Sequence, residues 1–258
     1  MSTNENEKYL VPALIRGLKI LELFSPTQTE LALSEIAQSL EINRSSAFRL
    51  VQTLEYCGYL NRNEQKNYTI NIKALQLGYS ALASIDITDQ AMPIMKQLRD
   101  QTRTAVHLSV LDQTDIVYVQ NIQALGAFTS NILIGTRWPA HATVIGQFLL
   151  SGLNNNEIIE RYSAFKEWKR FSESTPKNLD ELLLKVERAR NSESLTSWQQ
   201  FKNTMVASAA PIIHPFNGSI PYVLSVSHPA YSLDKKKYEA EVIPHLVNAA
   251  KKISSYIL

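Results

Sequence analysis

The chain has 258 residues, of which 45% are hydrophobic, and a formal net charge of +2. That length suits a small module joined to a larger one, and that composition supplies real cores and excludes long disorder. A balance this close to neutral excludes recognition of a polyanion by bulk charge, so any such role rests on where particular side chains stand.

The single cysteine, Cys57, rules out an internal disulfide framework and a cysteine-cluster zinc site. It reads as a buried or half-buried small hydrophobe. The polar stretch MSTNENEKYL lacks the apolar core of a signal peptide. The longest apolar-rich run, residues 143–153, is too short to span a bilayer and is broken by Gln147. A reducing cytoplasm is the expected location, with no membrane partner.

Leu14, Leu18 and Leu21, with Ile20 and Phe24, predict a first amphipathic helix that stops at Ser25-Pro26. Residues 31–33 suit a short strand. Ser34 is the expected cap of a second helix with Ile36, Ala37 and Leu40 on one face. A turn at Glu41-Ile42 leads to Asn43, the expected cap of a third. There Ala47, Leu50, Val51 and Leu54 fall at i, i+3, i+4 and i+7, a single buried stripe, and Gly58 suits the αL residue that ends it.

The opposite face of that helix carries Ser45, Arg49 and Gln52, with Arg44, Ser46 and Thr53 beside them. Short donors and guanidinium groups are what a helix needs to meet phosphates and base edges in a major groove. A β-hairpin follows: residues 59–60 outward, 61–67 at the tip, 68–70 returning. The tip carries Arg62, Asn63, Lys66 and Asn67, suited to phosphates or a minor-groove edge. Alone it reads as a solvated turn; placed directly after two such helices, it reads as the wing of a winged helix-turn-helix. From Asn43 to Lys73 five bases (Arg44, Arg49, Arg62, Lys66, Lys73) face two acids (Glu55, Glu64), a local excess of three positive charges.

Residues 72–84 suit a connecting helix, with Leu75, Tyr79 and Leu82 on one side and Ala74, Gly78 and Ala81 on another. It is either a dimer contact or packs onto the module's own core. A helix over 88–102, strands over 105–111 and 116–122, and a third strand over 132–134 come next. A helix is expected to start after Pro139, carrying Val144, Phe148 and Leu149, with further helices near 155–164 and 178–191. Strands 205–213 and 222–226 flank the Asn217-Gly218 turn, and a terminal helix covers 234–256. Helices interleaved with antiparallel strands describe an α+β domain. The expected boundaries are 1–71, 72–86 and 87–258.

Five scattered histidines accompany no metalloprotease, nucleophile-elbow, phosphate-loop or dinucleotide motif. No catalytic residue, metal ligand or cofactor is therefore assigned. A hydrolase-like or other enzyme with an accessory DNA-binding module stays open as the alternative, since a triad can assemble in three dimensions.

With these motifs in order, the chain resembles the IclR-type transcriptional regulators over nearly its whole length. The resemblance lies in RGLKIL at 16–21, LSEIA at 33–37, NRSS at 43–46, FRL at 48–50 and TLEYCGY at 53–59. It continues in GTRWPAHAT at 135–143, Gly146, AAP at 209–211 and LSVS at 224–227. It implies a GAF-like effector domain built on an antiparallel sheet, a small organic acid as effector, and dimers or tetramers on a palindromic double-stranded DNA operator. By position it implies ligand contacts in the loop 135–141 (Gly135, Arg137, Trp138, His141), in the region 197–207 (Trp198, Ala207), and at Ser225 and Ser227.

Region 197–207 departs from the commoner pattern of a glycine–tyrosine stretch with Asp and Glu before Gly-x-x-Cys. Here it reads SWQQFKNTMVA: amides and neutral groups replace the carboxylates, and Ala207 replaces the cysteine. That favours a bulkier or aromatic acid over a two- or three-carbon one, with Trp198 and Phe201 as flat apolar surface. Independently, a helix starting after Pro139 would expose backbone N–H groups of residues 140–142 to a carboxylate. Ser225 and Ser227, two apart on a strand, point to one face, either into a pocket or bonded to neighbouring backbone. Arg137 reads as a ligand contact or a surface ion-pair partner, Trp138 as pocket wall or core.

Overall fold

The computed structural model describes residues 8–85, 87–125 and 132–257. The chain divides into two compact units, Met1–Ile85 and Asp86–Leu258.

The first unit runs α1 (Pro12–Glu22), β1 (Glu30–Leu31), α2 (Leu33–Ser39), α3 (Arg44–Tyr56), β2 (Leu60–Arg62), β3 (Tyr68–Ile70) and α4 (Ala74–Ala83). Ile20, Leu31, Ile36, Val51, Leu60 and Tyr68 form its core. Asn43 caps α3 as expected, its Oδ1 accepting from Ser46 N–H at 2.8 Å. Gly58, at φ +77°, closes the far end: Tyr59 N–H reaches Leu54 O and Gly58 N–H reaches Glu55 O, a Schellman motif. β3 pairs antiparallel with both β2 and β1.

Several expectations shift here. Ser34 does not cap α2; it lies inside the first turn after the cap position Ala32, whose N–H donates to Glu35 Oε2 instead. α1 buries Gly17 and Ile20, while Leu14 and Leu18 stay 62% and 52% exposed. Cys57 is exposed, since the αL turn at Gly58 lifts the helix end out of the core. No residue of α4 is buried, so its apolar side is not spent on the unit's own core.

The second unit holds α5 (Thr88–Thr102), β4 (Ala105–Asp112), β5 (Asp115–Ile122), β6 (Arg137–Pro139), α6 (Val144–Ser151), α7 (Asn155–Tyr162), α8 (Leu179–Arg190), β7 (Leu195–Trp198), β8 (Met205–Ile212), β9 (Tyr222–Pro229), α9 (Lys235–Glu241) and α10 (Ile243–Ser254). Six strands form one antiparallel sheet in the order β6-β5-β4-β9-β8-β7. α6, wholly buried and backed by α8, packs on one face; α5 and α10 cover the other.

The third strand is β6, not residues 132–134. Gly135 at φ +87° and a Thr136 N–H to Leu133 O bond make a turn there, and the register with β5 covers Arg137 to Pro139. Pro139 ends that strand and does not start a helix: residues 140–142 form a single 3₁₀ turn and α6 begins after Thr143. The terminal helix breaks into α9 and α10 at Val242, ahead of Pro244. β7 had no counterpart among the expected strands.

Candidate functional site

The face of α3 opposite its core stripe is open. Arg44, Ser45, Arg49 and Thr53 are exposed, and Ser46 and Gln52 are half-buried. Gln52 Nε2 donates to Glu55 Oε2 at 2.6 Å, so a neighbouring acid restrains the one amide on this face. Phe48, 43% exposed, stands one residue before Arg49 on the same face. An apolar ring there suits contact with a thymine methyl group. In the wing, Arg62 and Lys66 are exposed and Asn67 is half-buried. Arg62 lies over the Tyr68 ring at 5.8 Å, and Asn67 N–H donates to Asn63 Oδ1, which shapes the tip.

In the second unit a cavity of about 250 Å³ opens on the sheet face that carries α6. Drug-sized pockets span roughly 300–1,000 Å³, so this one suits a small metabolite. Its floor is polar: His107 on β4, Ser225 and Ser227 on β9, and Ser197 on β7. Its walls are Tyr118, Trp138 and Phe201, and Lys202 stands at the rim. Sheet register explains the floor, because Ser225 pairs with His107 and Ser227 with both Ala105 and Ala207, all on one face. Among the described lining residues none is acidic, and Lys202 is the one charged side chain.

His107 Nε2 and Ser227 Oγ share a hydrogen bond of 3.0 Å. Burial pushes the His107 imidazole down to about 4; Asn121, opposite on β5, pulls the other way but stands outside hydrogen-bond geometry with Nδ1. The imidazole is therefore neutral at neutral pH. Ser225 Oγ is buried with no hydrogen-bond partner among the described residues, and a buried hydroxyl left unpaired costs about 1–3 kcal/mol.

Of the residues expected at this site, Trp138, Ala207, Ser225 and Ser227 line the cavity. Four others do not. Gly135 forms the turn before β6. Arg137 is exposed and ion-paired with Asp112 at 2.7 Å and Asp115 at 3.3 Å, tying β6 to the β4–β5 turn. His141 is buried against Phe165 and Trp168, with Nε2 3.2 Å from Lys169 O. Trp198 lies edge-on to Tyr238 with Lys235 above it, on the far face of the sheet; its neighbour Ser197 faces the cavity. In the 140–142 turn, Ala140 N–H donates to Thr114 O, so that group is not free for an anion, and Thr143 Oγ1 takes Gly146 N–H. His107, Tyr118 and Lys202 were not anticipated. The alternating pattern of residues 105–111 was the one available signal, as it places His107 on the face of Ser109.

Two family models match. One, described as the IclR helix-turn-helix domain, covers residues 13–64; the other, bacterial transcriptional regulator IclR C-terminal, covers residues 79–255. The HTH-type transcriptional regulator KdgR of Dickeya chrysanthemi is 30% identical over 95% of this chain and 79% of its own length. The crystal structure of an IclR family regulator from Brucella abortus aligns with a TM-score of 0.75 at 26% identity, covering 100% of this chain and 96% of that one. An IclR homologue from Microbacterium hydrocarbonoxydans, crystallised with 4-hydroxybenzoate, shares the fold at 21% identity and a TM-score of 0.77 over 94% and 98% of the two chains. With a winged helix-turn-helix ahead of an antiparallel-sheet effector domain, and family models matching both halves, this chain belongs to the IclR family of ligand-responsive, DNA-binding transcriptional regulators.

Proposed function

We propose that the chain senses a small aromatic carboxylate in the second unit and acts in the cytoplasm, where its operators lie. The observation that carries this is the cavity: aromatic on its walls, hydroxylated on its floor and free of acidic side chains among the described residues. An acid beside a bound carboxylate would repel it, and none lines this cavity. Thermal-shift measurement of the purified protein tests the reading, because a ligand that binds only the native state raises Tm. 4-Hydroxybenzoate, benzoate and pyruvate are the probes. Stabilisation by the aromatic acids is expected, with that by 4-hydroxybenzoate reduced in the double variant Ser225→Ala, Ser227→Ala; stabilisation by pyruvate alone would reject the aromatic class.

On DNA, the proposed groove face is Arg44, Ser45, Ser46, Arg49 and Gln52, with Arg62, Lys66 and Asn67 on the wing. Arg49→Ala is expected to weaken binding to a cognate palindromic operator by about 1–3 kcal/mol, if the side chain meets a base. A mobility shift unchanged by both Arg49→Ala and Arg44→Ala would remove this face from consideration. We further propose a homo-oligomer, dimer or tetramer, built through α4, where Leu75, Leu77 and Tyr79 are 64%, 58% and 74% exposed. Two wings gain affinity and half-site spacing by acting together. Light scattering on the same preparations checks this, with Leu75→Glu expected to lower both the mass and the DNA affinity.

A further inference from the structure

We infer that Lys202 is the carboxylate-binding residue of this cavity, so that the acid lies with its carboxylate outward at the rim and a neutral polar group inward on Ser225. This rests on the aromatic-acid reading above and adds the orientation and the residues that select for it.

The loop between β7 and β8 carries Lys202 over the cavity. Gln199, at φ +57°, starts the turn; its N–H donates to Met205 O, and Met205 N–H donates back to Lys202 O, both at 3.1 Å. The Lys202 ammonium then sits 4.6 Å from the Trp138 ring centroid, a cation–π contact that aims it without neutralising it. None of the ion pairs among the described residues engages Lys202. Trp138 stands edge-on to Tyr118, and Tyr118 edge-on to His107. This aromatic wall leads from Lys202, the one cation among the described lining residues, to a floor of neutral donors and acceptors.

The two ends of the cavity therefore make different demands. A carboxylate on the floor would lose its water and meet only neutral groups. At the rim it meets an ammonium and keeps part of its hydration. A hydroxyl on the far side of the ring reaches the floor, where Ser225 Oγ, 1% exposed and without a partner among the described residues, completes the bond. The ring fills the apolar stretch between them.

Calorimetric titration of the full-length chain with 4-hydroxybenzoate, benzoate and 4-hydroxybenzamide tests the orientation. Lys202→Gln is expected to weaken 4-hydroxybenzoate about tenfold, while the uncharged amide changes by less than about twofold. Ser225→Ala is expected to weaken 4-hydroxybenzoate and leave benzoate nearly unchanged. Wild-type affinity of Lys202→Gln for 4-hydroxybenzoate, or an equal loss for acid and amide, would overturn the orientation while leaving the aromatic-acid reading intact. Failure of every probe to bind the folded wild type would overturn both.

Discussion

Gly146→Ala is expected to destabilise the second unit by about 3 kcal/mol or more, the range of severe overpacking. A Cβ at this position would stand 2.1 Å from the Ala140 carbonyl oxygen and 2.4 Å from its Cα. These are backbone atoms, and they cannot swing away as the end of a flexible side chain does. Ala140 is fully buried, its N–H is held by Thr114 O, and Thr143, which caps α6 through Gly146, sits in the same turn. Alanine does gain about 1 kcal/mol of helix propensity over glycine, but that is smaller than the clash. Urea unfolding of the variant beside the wild type measures the difference. An unchanged midpoint would mean that the 140–142 turn slides along α6 at little cost. Because that turn joins β6 to α6, movement there also displaces Trp138 and Ile145, both of which line the effector cavity.

The DNA half was largely legible in the sequence because its information is local. The cap at Asn43, the stripe of Ala47 and Val51 and the αL glycine at 58 are each set by residues within one or two turns. The effector cavity was less legible, because it is assembled by strand pairing across more than a hundred residues. The parity of a strand decides which side chain enters: β7 directs Ser197 inward and Trp198 outward, and a shift of one residue reverses them. Arg137 was ambiguous until the β5–β6 pairing placed it beside Asp112 and Asp115. His107 carried no motif; only the pairing of β4 with β9 brings it beside Ser225. Lys202 acquires meaning from a turn whose closing bonds lie between Gln199, Lys202 and Met205.

Acid is expected to weaken the second unit through His107. Its ordinary value of 6.5 falls to about 4 in the folded chain, with burial as the dominant cause. The unfolded chain therefore binds more protons than the folded one between about pH 6.5 and pH 4. Stability is full above that window, declines as pH falls through it, and is flat below the folded value. The size is on the order of 3 kcal/mol for a shift of this magnitude. The groups that face the ring are the Tyr118 edge, the hydroxyls of Ser225 and Ser227 and the Asn121 carboxamide. All are neutral near pH 7, and among the described residues no carboxylate stands there to accept the charge. His107→Asn removes the titration, so its loss of stability between pH 7 and pH 4.5 in urea unfolding should be smaller than that of the wild type. An equal loss in both proteins would move the acid lability to another group, and His141, also lowered by burial, is then the one to replace. The same desolvation bears on the effector. A cavity floor that resists protonation offers no imidazolium to a carboxylate, which leaves Lys202 at the rim as the charge that an anionic ligand can meet among the described lining residues.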